Sequence, residues 1–382
     1  MAKWLFNAAF LLLVWGVLAE PALDAPRRVL TLRHTSEFKR LSEGDVEPLR
    51  DGSLLFVYTR FTAGQGDHDH ADLVARRSPD GGLTWTTEDE LVVRNHAALN
   101  VMSVSLLRLG NGNLALFYLS KDAIANTRPV MRVSSDEGRT WSDYKYCVGD
   151  DAPGYYVMNN DRAVRLTTGR IILPLAKHPV SNGTNIGMNS VPVSVYSDDD
   201  GATWRFGAPS PRAVDADGRI VTLQEPGVVE KKCGGLLLWA RTDHGEQWQT
   251  HSSDLGFTWR RYTASPLVSP CSPAQIVRLA NGDLVAIWND HASHPELKAS
   301  GRRTPLALGL SRDGGKTWPV VKTLEGNLGG YFAYPSLREV GSNLVLSYCC
   351  ADGLVDIRVT LVPTAWLYSL VSSADRTGFF VD

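Results

Sequence analysis

The chain has 382 residues, with 39 Lys and Arg against 41 Asp and Glu, 43% hydrophobic and 21% charged residues, 34 Gly, 11 Trp and 5 Cys. This composition excludes a disordered tail, a collagen, a disulfide-stapled miniprotein and a strongly basic nucleic-acid binder. A formal net charge of −2 is too mild to imply a polyanionic or membrane partner, and a length beyond about 300 residues implies two domains unless a repeat carries the extra chain.

In chain order, Lys3, the apolar run 5–17 and the segment ending at Ala19 form a signal-peptide pattern. Residues 1–19 are therefore expected to be cleaved, leaving 20–382 as one secreted or periplasmic domain. The rival reading, an uncleaved anchor, is short of the roughly 20 apolar residues that a span needs. A β-rich run follows at 28–33, then another at 53–58 behind the turn pair Asp51-Gly52. The polar loop 62–71 carries an Asp-His-Asp-His cluster, Asp67 to His70, and precedes the first copy of an octapeptide, S-x-D-x-G-x-T-W, at 78–85. Further copies stand at 134–141, 197–204, 252–259 and 311–318, with strand-like runs at 114–118 and 284–288 behind Asn-Gly turns. Starts at 78, 134, 197, 252 and 311 are separated by 56, 63, 55 and 59 residues.

Each part of the octapeptide has a mechanical role in a hairpin. The Asp accepts backbone N–H bonds across the turn, the Gly supplies a positive φ, and the Trp buries a ring beneath it. No long helix-period segment interrupts these units, and about four strands fit in each, as in the blades of a β-propeller. Residues 319–382 leave room for one further blade without an octapeptide, which predicts an all-β, six-bladed propeller of four-stranded antiparallel blades. The strand at 28–33 would close the last blade and remove a free sheet edge. Cysteines 147, 233, 271, 349 and 350 lack CxxC spacing, which argues against a thiolate zinc site and leaves one or two disulfides open.

The octapeptides, the signal pattern and the unit count resemble the sialidase (neuraminidase) superfamily, whose Asp-box repeats have this form. The resemblance implies an exo-glycoside hydrolase for a terminal acidic sugar. In that chemistry a neutral Tyr, made reactive by a Glu base, avoids repulsion from the substrate's carboxylate, an Asp protonates the leaving group, and arginines grip the carboxylate. Glu225 in Q-E-P-G-V-V matches the base and Arg241 a clamping arginine. Arg303, with Arg302 as its neighbour, matches the next arginine, and Tyr334 in A-Y-P-S-L matches the nucleophile. The loop before the first octapeptide matches the position of the acid, which Asp67 and Asp69 both fit; the histidines beside them also suit a metal, which the resemblance does not imply.

The pattern departs from the family at 41–48, where an Arg-Ile-Pro arginine is expected and none stands, and at 348–350, where a supporting Glu is replaced by Tyr-Cys-Cys. Glu43, Asp45 and Glu47 would bring negative charge to that side of the pocket. The polar run 154–162 offers Arg162 as a replacement clamp, with Asn160, Asp161 and Tyr156 as further pocket residues and Tyr155 for stacking on a sugar. Asn100, Ser103, Lys121, Arg128 and His178 fall at neighbouring strand ends. The sequence thus predicts a monomer acting on carbohydrate, without cofactor, nucleic acid or membrane partner. A propeller lyase acting on uronates and a non-catalytic carbohydrate-binding propeller are the alternatives.

Overall fold

The computed structural model describes residues 23–298, 300–352, 354–371 and 374–381; the signal-peptide expectation for 1–19 lies outside them. Strands dominate. Four antiparallel four-stranded sheets and one nine-stranded sheet form the body, with a two-stranded ribbon, Val180–Ser181 against Asn185–Ile186, at its edge. The nine-stranded sheet joins two units through a single parallel bridge between Tyr155 and Thr127.

Each unit runs outward from an inner strand. The first comprises Leu41–Pro48, Leu54–Phe61, Ala71–Ser78 and Glu90–Val93, and the unit beginning with Gln224–Glu230 ends with Thr263–Val268. The expected strand at 28–33 is Arg27–Leu32, which pairs antiparallel with Leu354–Pro363 and completes the sheet begun by Tyr331–Val340. Central strands such as Leu54–Phe61 read as unbroken apolar runs because neighbouring sheets cover both faces, and all but one of that strand's eight residues are buried. The apolar clusters accordingly span pairs of units. Leu55 and Val57 meet Leu106 and Leu116, Phe117 meets Leu173 and Val195, and Ile172 meets Leu238 and Trp248. Trp239 meets Ile276 and Trp288, Leu308 meets Leu346 and Tyr348, and Val345 and Val359 return to Val46 and Phe56 of the first unit. Short helices, Thr364–Tyr368 and Ala374–Thr377, follow the last strand and were not anticipated.

All five octapeptides form the same turn. In the copy at 252–259, Ser252 Oγ donates to Asp254 at 2.7 Å, Gly256 N donates back to Ser252 Oγ at 2.9 Å, and the amide and hydroxyl of Thr258 donate to the two Asp254 oxygens at 2.9 and 2.6 Å. Gly256 has φ +80 and stands against Ile172 of the preceding unit, so the position needs both the left-handed backbone and the missing side chain. Trp259 is buried among residues of that same unit and donates Nε1–H to Ser194 Oγ at 2.8 Å. Trp259→Ala is expected to cost about 3–5 kcal/mol, as for other buried Trp truncations, seen as a lower urea midpoint at unchanged slope.

One irregularity recurs on the inner strands. The pairing shifts between Ser42 and Asp45, Met102 and Ser105, Gln224 and Gly227, and Ala333 and Ser336, so two residues oppose one at each place. The first extra residue is Glu43, Ser103, Glu225 and Tyr334, with φ of +42, +65, +48 and +53. Non-glycine residues in this region cost on the order of 1–3 kcal/mol each and persist only where the surroundings hold them.

Candidate functional site

All four bulged residues line one cavity at the ends of the inner strands. A regular strand would alternate its side chains between the two sheet faces; the bulge turns one residue per strand toward the cavity instead. Asp67, Lys121, Tyr155, Asn159, His178, Gln224 and Arg241 complete its polar wall, and Met102, Leu119, Val157, Ile186 and Met188 its apolar wall.

The half of the cavity formed by the fourth and last units holds Tyr334, Glu225 and Arg241, with Arg303, from the segment before Leu306–Ser311, packed against the Tyr334 ring. Glu225 Oε2 lies 3.0 Å from Arg241 Nη1, while Arg241 Nε and Nη2 donate to Gln224 Oε1 at 3.0 and 2.6 Å. One edge of the guanidinium is thus fixed on Gln224, and Nη1 is ion-paired with Glu225 without a well-directed hydrogen bond among the described residues. Arg303 lies 5.3 Å from the Tyr334 ring centre and donates to Tyr331 Oη at 3.0 Å. Burial pushes the Tyr334 phenol above its ordinary range, and the nearby charge of Glu225 pushes the same way, with Arg303 and Arg241 opposing. At rest the phenol is neutral, as a group facing an anionic ligand must be, and its proton has to leave as it reacts. Arg302 instead donates to the Leu328 carbonyl at 3.2 Å and is exposed.

Behind the other half stands Arg40, which no sequence motif singled out and which pairs with the lining residues Asp67 and Glu43. Arg40 Nη1 donates to Asp67 Oδ1 at 2.6 Å and to the Gln65 carbonyl at 2.9 Å, and Nη2 lies 3.8 Å from Glu43 Oε2. Lys121 Nζ and Asn100 Nδ2 donate to the Asp67 carbonyl at 2.7 and 2.8 Å, so the loop is pinned from three sides. Burial pulls the Lys121 ammonium down to about 8, with Asp67 and Glu43 opposing. Burial would raise the Asp67 carboxyl, but the charge and hydrogen bond of Arg40 outweigh it and hold the group below the usual range. Glu43 behaves oppositely: burial pushes it up to about 7 against the pull of Arg40.

Several expected pocket residues have other tasks. Asp69 turns into its own loop and accepts from the amides of Gln65 and Gly66 at 2.8 and 2.7 Å, which leaves Asp67 as the loop carboxyl at the cavity. Tyr156 is fully buried in the core and donates to the Ala152 carbonyl at 2.9 Å; strand alternation puts Tyr155, not Tyr156, on the cavity side. Arg162 is 1% exposed and donates to Gln275 Oε1 and the Ala274 carbonyl, both at 2.8 Å, so it ties two units together and cannot replace a clamp. Asn160 donates to the carbonyls of Gly44 and Tyr334 at 2.8 and 3.1 Å, and Asn100 to the acid loop, so both hold site residues without lining the cavity. Asp161 accepts from Leu337 N at 2.9 Å and lies 3.7 Å from Arg338. Asp45 and Glu47 also pair with Arg338, at 3.5 and 3.3 Å, so of the three acids of 43–47 only Glu43 lines the cavity.

Ser42 and Cys349 meet Oγ to Sγ at 3.6 Å, from the two segments where the sialidase pattern has its missing Arg and Glu. All five cysteines are free. Among the described residues no group of three His, Cys, Asp or Glu is placed to hold a metal ion, and no helix is long and apolar enough to cross a membrane.

The family model for the BNR repeat-like domain matches residues 51–345. A sialidase of Bacteroides fragilis (strain YCH46) is 25% identical over 313 residues, 73% of this chain and 55% of that protein. A sialidase of Micromonospora viridifaciens is 26% identical over 323 residues, 76% of this chain and 47% of its own length. The chain thus spans about half the length of these curated relatives. Among solved structures, an intramolecular trans-sialidase from Ruminococcus gnavus superposes with a TM-score of 0.70 at 13% identity, covering 90% of this chain and 98% of its own. A Trypanosoma rangeli sialidase gives 0.67 at 16% identity, covering 90% of this chain and 59% of its own. At these identities the superpositions speak for the propeller-type fold alone.

Proposed function

We propose that this chain, which belongs to the BNR repeat-like family of the sialidase superfamily, is a glycoside hydrolase that removes a terminal acidic sugar of the sialic-acid type. In this reading the sheets are six blades of a propeller, each octapeptide is an Asp-box, and the bulged ends of the inner strands surround the substrate. Tyr334 attacks the anomeric carbon while Glu225 takes its proton, and Arg241 with Arg303 grips the carboxylate. A cavity carboxyl protonates the leaving oxygen; Asp67 is the candidate from the loop position. The same reading makes the protein an exported monomer, secreted or periplasmic, with carbohydrate as its partner.

The observation that carries it is the meeting of Tyr334, from the last sheet, with Glu225 and Arg241, from two paired strands of another, in one cavity, with Arg303 over the phenol ring. A neutral nucleophile beside a carboxylate base and two guanidiniums suits a substrate that carries its own negative charge next to the reacting carbon. Product analysis on 3′-sialyllactose tests it: free sialic acid and lactose are expected. An unsaturated, UV-absorbing product from a uronate polymer in place of these would mark a lyase, and intact substrate with measurable binding a non-catalytic lectin-like propeller.

A further inference from the structure

We propose that Glu43, and not the loop carboxylate Asp67, hands the proton to the departing glycosidic oxygen. The inference rests on the hydrolase reading above and assigns a role within it that the sequence pattern gives to another residue.

Three observations lead there. Glu43 holds in the first unit the place that Glu225 and Tyr334 hold in theirs, the first residue of an inner-strand bulge with left-handed backbone, turned into the same cavity. The residue is 5% exposed, and its buried Oε2, 3.8 Å from Arg40 Nη2, makes no hydrogen bond among the described residues, so a substrate oxygen entering the cavity meets a carboxyl with a free hydrogen-bonding position. Asp67 is the reverse case. Its side chain is 61% exposed and is held as an anion on Arg40 at 2.6 Å. Arg40 thus hydrogen-bonds Asp67 at 2.6 Å but stands 3.8 Å from Glu43 without a hydrogen bond; a carboxylate hydrogen-bonded to a guanidinium is a poor proton donor, whereas a buried carboxyl free of such a bond is a better one.

The surroundings of Glu43 agree. Arg40 faces it from the residue before its own strand, Asp67 from the loop, Lys121 from Leu114–Ala123, Tyr155 from Tyr155–Val157, Glu225 from Gln224–Glu230, Tyr331 and Tyr334 from Tyr331–Val340, and Cys349 from Asn343–Asp352. The two cations favour the ionised form and the two carboxylates oppose it; with burial the largest influence, the group titrates near 7 and is protonated below that pH.

The steps balance without any reagent but water. As the Tyr334 oxygen bonds to the anomeric carbon, its proton passes to Glu225, the bond to the aglycone breaks with its electron pair on oxygen, and that oxygen takes the Glu43 proton and leaves as an alcohol. In the second half Glu43, now a carboxylate, removes a proton from water, whose oxygen bonds to the anomeric carbon. The bond to Tyr334 breaks, and the phenol oxygen recovers its proton from Glu225. Both carboxyls return to their starting states.

The experiment compares the wild type, Glu43→Gln, Asp67→Asn and Tyr334→Phe on two sialosides: 4-methylumbelliferyl sialoside, whose aglycone leaves with little help, and 3′-sialyllactose, whose alkoxide needs a proton. Glu43→Gln is expected to lower kcat/KM on sialyllactose by about 10²–10⁴-fold and on the aryl sialoside by less than about tenfold. It should also abolish the fall in kcat/KM near pH 7. Azide should restore kcat on the aryl substrate and yield the sialyl azide, which a misfolded variant cannot do. Asp67→Asn should change both substrates alike and keep the pH limb. The proposal is overturned if the dependence on leaving group appears in Asp67→Asn, or if Glu43→Gln loses the same factor on both substrates, as a mere counter-ion of Arg40 would. Loss of hydrolysis in Tyr334→Phe with an indifferent Glu43→Gln removes this proposal alone; a wild type that cleaves neither sialoside removes the hydrolase reading and this proposal together.

Discussion

Tyr334→Phe is expected to lower kcat/KM on 4-methylumbelliferyl sialoside by at least about 10³-fold, because it removes the atom that forms the covalent bond and leaves only binding and charge stabilisation. The ring stays between Arg303 and the bulge, and its main-chain carbonyl still accepts from Asn160, so the shape of the site is kept. Affinity for free sialic acid, read by calorimetry, should change less than about threefold, since the hydroxyl contributes little to ground-state binding in this scheme. Rate loss without affinity loss is the signature sought. A variant that keeps a tenth or more of the wild-type rate would show that another group attacks, and the assignment of Glu225 as its base would fall with it.

Arg241→Lys should cost about 10²–10³ in kcat/KM on the same substrate. Lysine keeps the charge but has no fork, so it cannot hold Gln224 and Glu225 and still present a donor to the cavity. A lost hydrogen bond to a charged group is worth about 1.5–3 kcal/mol, and a displaced Glu225 adds to the loss by weakening proton removal from Tyr334. KM should therefore rise and kcat fall together. The control is the same glycoside with its carboxylate converted to an amide: wild type and variant should differ far less on it, because there is no anion to grip. An equal loss on both substrates would place Arg241 in support of the strand, not in recognition.

The two substitutions probe the half of the site that was most legible in the sequence. Tyr334, Glu225 and Arg241 stand in short segments that resemble sialidase motifs, so the resemblance marks them, and all three line the one cavity. The octapeptides were legible from local chemistry, since Ser252, Asp254, Gly256 and Thr258 bond only within one turn. Where the reading failed, the deciding fact was long-range. Telling Tyr155 from Tyr156 needs the pairing of Tyr155–Val157 with Ile171–His178, which fixes the face each ring takes. Asp67 and Asp69 differ only in whether the side chain meets Arg40 or the loop's own amides. Arg162 looked like a free cation until Gln275, 113 residues away, took its hydrogen bond. Arg40 stood just outside the family's motif, and nothing in its neighbourhood along the chain shows that its long side chain folds back to the acid loop.

The bulges have a further consequence for how such a ring can diverge. Because each extra residue is absorbed locally, the hydrogen-bonded pairs on either side of it keep their partners whatever group the extra residue carries. Positions 43, 103, 225 and 334 behave as sockets: a carboxyl, a hydroxyl or a phenol can be exchanged there without re-threading a sheet. Ser103 is the socket with the smallest occupant, and it faces the same cavity as the other three. A larger reactive group installed at 103 would meet the substrate from a new side, which offers a route from one sugar chemistry to another on an unchanged frame.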